Sequence, residues 1–369
     1  MTKTLLTLFI SALGASVAIA CSDSAAKKDD ATPGGGADGG ADAEAFTTGE
    51  EVKLTVPASG RVYLKLASPA GQVTPADPKT DKGWDLAFEG LDVYTNSGPS
   101  GSGQSRTFGP NDAVVFLSDV APEVPDVLLT GDKTGGAFVR WYYYEGAPNH
   151  ALHSRFHVFG VKDGDKIYKV QILSYYGERD GAPVSSLYRV RWAELGGPTQ
   201  EAINVDGTAT AADAANECLD LATGAKTALT PAAAQASTAW HLCFRRQNIS
   251  VNGELGGPRN VGAVDLDAEK VASEKLTDVL NMTPESEQAR FDAVNAQSFA
   301  GQTFRGDRVV SAFSGLWLEK GASPPSPAQV AWLVVGADGK SKYLVGFARF
   351  EGATNESPGT VTMRVKAVK

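Results

Sequence analysis

Trp84-Asp85-Leu86-Ala87-Phe88, then Leu91 and Val93, is the stretch that decides how the chain is read. Trp84, Leu86 and Phe88 alternate, the period of a half-buried strand. Leu91 and Val93 alternate in the opposite phase, and a one-residue slip turns every side chain to the other face of a sheet. The same pattern returns at an offset of 156 residues as Trp240-His241-Leu242-Cys243-Phe244, followed by Ile249 and Val251. The shared slip predicts a bulge near Glu89-Gly90 and again near Arg245–Gln247.

Working outward, the echo becomes an internal duplication. Thr74-Pro75-Ala76 matches Thr230-Pro231-Ala232, Asn96 matches Asn252, and Gly101 matches Gly257 at the same offset. Further on, Asp163-Gly164, Tyr168, Val170, Gly177, Arg189 and Val190 match Asp338-Gly339, Tyr343, Val345, Gly352, Arg364 and Val365 at an offset of 175. The second copy must therefore carry an insertion. Ala268–Phe299, without glycine and interrupted only by Pro284, predicts one or two short helices there. Tyr168, Val170 and Ile172, then Tyr188, Val190 and Trp192, read as a hairpin closing the copy. The expectation is an all-β chain of two tandem antiparallel domains, residues 48–200 and 201–369, with a short helical insertion in the second. Gly196-Gly197-Pro198 reads as the linker between them.

The N-terminus has a different character. Lys3, an apolar run from Leu5 to Ile19 and the small residues before Cys21 define a secretory signal. The run is shorter than the roughly 20 residues a spanning helix needs. A cysteine at the cut resembles the lipobox of bacterial lipoproteins, which makes Cys21 the lipidated first residue of the mature chain. Residues 22–47, rich in Ala, Gly, Asp and Lys, read as a disordered tether. Net charge is −9, which argues against nucleic acid as a partner. Cys218 and Cys243 form an even pair in an exported protein, so a disulfide is expected. Strand parity turns both of them, and His241, away from the core.

Gly83–Phe88, Asp92-Val93-Tyr94-Thr95-Asn96-Ser97-Gly98, and Asp163-Gly164 followed by Tyr168–Tyr176 together resemble the signature of HmuY-like haem-binding lipoproteins. The resemblance spans about Leu54 to Trp192 and weakens in the second copy. It implies an all-β fold, a lipid anchor in the bacterial outer membrane, haem capture for iron uptake, and an outer-membrane uptake receptor as partner. Haem iron takes one or two axial ligands, commonly His or Met. Three of the four histidines, His150, His153 and His157, follow Trp141-Tyr142-Tyr143-Tyr144. His150 is the closest match to the family's loop histidine. His153, His157, Tyr142 and Tyr144 are the further candidates. In a well-known member a second axial histidine lies earlier, but here Gly98–Arg140 contains no His, Met, Cys or Tyr. The alternative reading is a surface binding or structural module that kept the fold and lost haem.

Other chemistry is poorly represented. His153 and His157 are spaced as metal ligands on a helix, yet Pro148 and the alternation of Phe156 and Val158 argue for loop then strand. Tyr142–Tyr144 reads as a strand with aromatic core residues. No Gly-x-Ser-x-Gly or His-Glu-x-x-His motif occurs, so an enzyme is not expected.

Overall fold

A computed structural model describes residues 46–369. The expected leader, the lipidation site Cys21 and nearly all of the tether lie outside these residues. Phe46, at the far end of the expected tether, is buried against Phe116, with ring centroids 5.3 Å apart. The described chain is all-β, with short helices only.

The deciding stretch forms a strand, Leu86–Glu89, paired with Asp92–Thr95. The phase change is not a bulge. It is a two-residue turn, since Glu89 pairs Asp92 directly, and Gly90 takes the left-handed conformation (φ +55°) the turn requires. The second copy turns at Arg246-Gln247 with Arg245 paired to Asn248. A small sheet is completed by Val62–Lys65 and Gly71–Val73. The second small sheet has the same order, with Lys226–Leu229, Asn216–Leu219, Leu242–Arg245 and Asn248–Val251.

The repeat extends to individual hydrogen bonds. The indole N–H of Trp84 donates to Pro78 O (3.1 Å) and that of Trp240 to Ala234 O (3.0 Å). Asn96 Nδ2 donates to Trp84 O and Asn252 Nδ2 to Trp240 O, at 2.8 and 2.9 Å.

The two large sheets draw on both halves of the chain. One runs Glu50–Thr55, Thr360–Val368, Lys342–Glu351, Val330–Val335, Arg106–Asp112. Its outer strands come from the first copy and its three central strands from the second. The other runs Gln200–Asp206, Ala182–Glu194, Lys166–Arg179, Val158–Asp163, Gly262–Asp265, with the ownership reversed. The residue 200/201 join expected between tandem domains is therefore not a boundary between sheets. The copies exchange their C-terminal halves. The exchange is reciprocal: Trp141 of the first copy donates its indole N–H to Gln247 O (2.8 Å) and Trp317 of the second donates to Leu91 O (3.0 Å). One core joins Leu64, Leu86 and Phe88 to Trp332, Phe347 and Met363. The other joins Trp141, Tyr168 and Tyr188 to Leu219, Leu242 and Phe244.

The closing hairpin of the first copy turns at Asp180-Gly181, both left-handed, a pairing suited to a two-residue hairpin turn. The insertion is helical, with Leu276–Leu280 and Gln288–Ala293 flanked by single 3₁₀ turns. It covers the second large sheet through Phe291 on Val158 and Ala193. Gly160 makes that approach possible, since a Cβ there would lie 2.3 Å from the Phe299 ring.

Cys218 and Cys243 are bonded. They are direct register partners on neighbouring strands, although another strand and a helix, rather than a hairpin turn, connect those strands. The cysteines stand apart from the core cluster that holds Leu219 and Leu242, as parity expects, although Cys218 is buried. The expectation fails for His241, which is fully buried with its ring 5.3 Å from that of Tyr168. His241 stands where the first copy has Asp85. Leu66 N–H donates to Asp85 and Leu221 N–H to His241 Nδ1 (3.1 Å). Burial, aided by Arg259, holds the His241 imidazole down to about 4, so it is the neutral acceptor that position needs.

Candidate functional site: a tyrosine-lined cleft

Tyr142–Tyr144 forms a short strand paired with Leu152–Ser154, so the loop between them carries His150 at the open end. His150 has φ +53° and its backbone N–H donates to Gly146 O (2.7 Å), which closes the loop. The Tyr144 hydroxyl is hydrogen-bonded to His150 Nδ1. The two rings are stacked, 5.9 Å apart and inclined by 26°. No partner is bonded to His150 Nε2 among the described residues.

The pair borders a cleft of about 420 Å³ lined also by Tyr142, Leu152, Tyr175, Tyr176, Arg246 and Gln247. Two consecutive tyrosines reach the same cleft because the Lys166–Arg179 strand is irregular between Ile172 and Tyr176, and such bulges re-aim side chains. Tyr176 is 39% and Tyr144 51% exposed, while Tyr175 is buried and accepts from the Ser186 hydroxyl (2.7 Å). Tyr176 accepts from Leu152 N–H (3.1 Å). Burial, reinforced by Tyr175, pushes the Tyr142 phenol above its ordinary range. Tyr142–Tyr144 is a strand as expected, and Tyr142 packs half-buried against the core, but Tyr144 is exposed and both side chains line the cleft.

The remaining candidates are committed elsewhere. His153 Nε2 meets Glu145 Oε2 at 3.0 Å, and that bond, with one from Asn149, lowers the Glu145 carboxyl. His157 is fully buried. Its Nδ1 meets Asp265 (2.9 Å) and its Nε2 meets Glu274 (2.9 Å), both supplied by the second copy. Burial opposes its charge, but the two carboxylates outweigh burial and raise the imidazole above its ordinary range. Both of its ring nitrogens are engaged by carboxylates, which leaves neither free for a metal. The described residues hold no cluster of three or more metal-ligating side chains.

Sequence reasoning missed Arg246 and Gln247. They arrive from the second copy through the exchanged halves, held where Tyr188 donates to Arg246 O and Trp141 to Gln247 O. Tyr175 and Tyr176 were within the quoted motif, but the bulge that turns both into one cleft has no pattern of its own.

The chain matches no model of a known protein family, and no curated protein matches it. None of the described helices is long and apolar enough to cross a membrane.

Proposed function

We propose that the protein is a lipid-anchored envelope protein of HmuY-like type that binds haem or a related porphyrin in the tyrosine cleft. The observation that carries this reading is the Tyr144–His150 pair on the wall of a cleft lined by four tyrosines. A porphyrin needs flat aromatic walls, an axial donor and cations for its carboxylates. The tyrosine rings supply the first. The second is His150 Nε2, or Tyr144 as a phenolate whose proton His150 accepts; both residue types ligate haem iron. Arg246, which has no carboxylate partner among the described residues, supplies the third. With His153 and His157 held by carboxylates, His150 and Tyr144 are the residues that would hold the iron. Cys21 is the proposed anchor, the outer membrane the proposed location, and an outer-membrane uptake receptor the proposed partner.

The test is haemin titration of the full chain followed at the Soret band. Saturable binding at micromolar haemin is expected, weakened at least tenfold by Tyr144→Phe combined with His150→Ala, and unaffected by His241→Ala. A wild-type chain without a saturable spectrum overturns the haem reading in favour of a module that kept the fold and lost haem. That second reading is favoured by one observation: two of the three candidate histidines are hydrogen-bonded to carboxylates.

A further inference from the structure

Lys133–Gly135 and Arg308–Val310 form a two-stranded antiparallel ribbon that belongs to neither large sheet. Its register is Lys133 with Val310, Thr134 with Val309, and Gly135 with Arg308. The 175-residue offset maps each strand of this ribbon onto the other, so a pseudo-twofold axis passes through the Thr134–Val309 pair. Lys133 and Arg308 are equivalent under that axis. Paired residues in an antiparallel ribbon share a face, so both cations rise from the same side as diagonal neighbours, roughly 7–8 Å apart at the backbone.

A cavity of about 620 Å³ lies over the ribbon, and Arg61, Arg140 and Arg305 line it with Lys133 and Arg308. It adjoins a second cavity of about 400 Å³ that shares Val139, Arg140, Arg305, Arg308 and Val310. Arg61 is taken by Glu89 and Arg305 by Glu254, each at 2.8 Å. Asp92, at the same end as Glu89, accepts from the Tyr94 hydroxyl. Lys133, Arg140 and Arg308 have no ion-pair partner among the described residues, although the protein carries a net charge of −9. Arg308 lies close enough to Glu254 to lower its carboxyl, but Glu254 itself is spent on Arg305.

Three unpaired cations over an apolar strip of Val139 and Val310 make a surplus of positive charge that an anion would neutralise. The groove has small-molecule dimensions. A single carboxylate brings one charge, too few for the two symmetry-related cations and Arg140. A diphosphate brings more than one charge to each end of that span, with oxygens that match the arginine fork. We infer that the ribbon groove is a binding site for a small molecule carrying a diphosphate group, clamped between Lys133 and Arg308 and closed by Arg140. The site shares no residue with the tyrosine cleft, so the two readings stand or fall separately.

The experiment is calorimetric titration of the full chain with inorganic pyrophosphate, with orthophosphate and citrate as comparisons, all against sodium chloride of matched ionic strength. Saturable pyrophosphate binding is expected, at least tenfold tighter than citrate or orthophosphate. Lys133→Gln with Arg308→Gln should weaken it at least tenfold, and Arg364→Gln, which removes an arginine already paired with Glu51, should leave it unchanged. The substituted side chains are exposed, and an unchanged melting temperature verifies that the variant folds. Absence of saturable heat, equal binding of citrate, or wild-type affinity in the double variant would each overturn the proposal.

Discussion

Asp132 and Asp307 occupy equivalent positions, yet only one is satisfied. Asp132 accepts from Thr95 N–H (3.1 Å), the Ser100 hydroxyl (2.5 Å) and Ala312 N–H (3.0 Å), which ties the two copies together. In the second copy the counterparts of Thr95, Ser97 and Ser100 are Val251, Gly253 and Gly256, so the hydroxyls are gone. Asp307 is fully buried and neither of its oxygens has a hydrogen-bond partner. Burial pushes its carboxyl up to about 7, with Val251 N–H and Ser250 nearby but only a partial offset. The sign follows from linkage. Below the ordinary aspartate range both states are protonated and there is no penalty. As pH rises from about 4 to about 7 the unfolded chain ionises and the folded chain does not, so stability is lost, and above about 7 the loss is complete. Asp307→Asn should remove this dependence. Relative to wild type, the variant should gain on the order of a few kcal/mol between pH 3 and pH 8, measured by urea unfolding at several pH values. His241, held neutral, acts in the opposite sense, losing stability as pH falls from about 6.5 towards about 4, so the difference between variant and wild type is the quantity to read. A constant difference would refute the assignment.

At the scale of elements, the two small sheets solve one packing problem in two ways. In the first, Tyr63 pairs with Ala87 and its ring packs edge-on against Trp84 at 5.0 Å. In the second, the same positions are Cys218 and Cys243, joined covalently. The bridge closes a separation of 25 residues, worth about 3 kcal/mol in the chain-entropy view. Cys218→Ala with Cys243→Ala should therefore lower unfolding free energy by about 3 kcal/mol, seen as an earlier urea midpoint; an unchanged midpoint would show that the bridge adds no stability. The helical insertion matters through its ends. Lys169 Nζ donates to the carbonyls of Phe291, Asp292 and Val294 at the close of the Gln288–Ala293 helix, where a cation meets unsatisfied acceptors. With Glu274 on His157 and Arg155, the insertion fastens the second copy onto the first.

At the scale of the whole molecule, the exchange of halves decides how the chain comes apart. Cutting at the exposed Gly196-Gly197 should leave one particle, not two. Each piece alone would expose the large apolar faces now buried in mixed cores, such as Leu64, Leu86 and Phe88 or Trp332, Phe347 and Met363. At roughly 1.5–3 kcal/mol for each such side chain, the three named on either piece come to about 4.5–9 kcal/mol, as large as the roughly 5–15 kcal/mol that holds a domain folded. Residues 46–197 and 198–369 expressed apart should be insoluble singly and recover soluble, folded protein when co-refolded, checked by gel filtration. Two monomeric folded pieces would contradict the mixed sheets. The proposed anchor is tested on the same scale: Cys21→Ser should move the protein from the membrane to the soluble fraction, and continued sedimentation with membranes would exclude lipid anchoring at that residue.

Alternation of Leu86 and Phe88, and its return at Leu242 and Phe244, sufficed to read an all-β chain, because strand period and repeat offsets are local properties of the residue string; Trp84, read on the same face, packs instead with Ala87 and Tyr94. The helical insertion was legible for the same reason, as a run without glycine. The cysteine pairing was legible because reading Cys21 as the lipidation site of a secretory leader leaves only Cys218 and Cys243. What the string could not carry was which copy supplies the partner strand, since both copies present the same alternating faces and either could pair with either. That choice rests on long-range pairing, such as Glu50–Thr55 with Thr360–Val368. It sends Asp265 and Glu274 to His157, taking it out of ligand chemistry. It also brings Arg246 and Gln247 to a cleft whose tyrosines lie in the other copy.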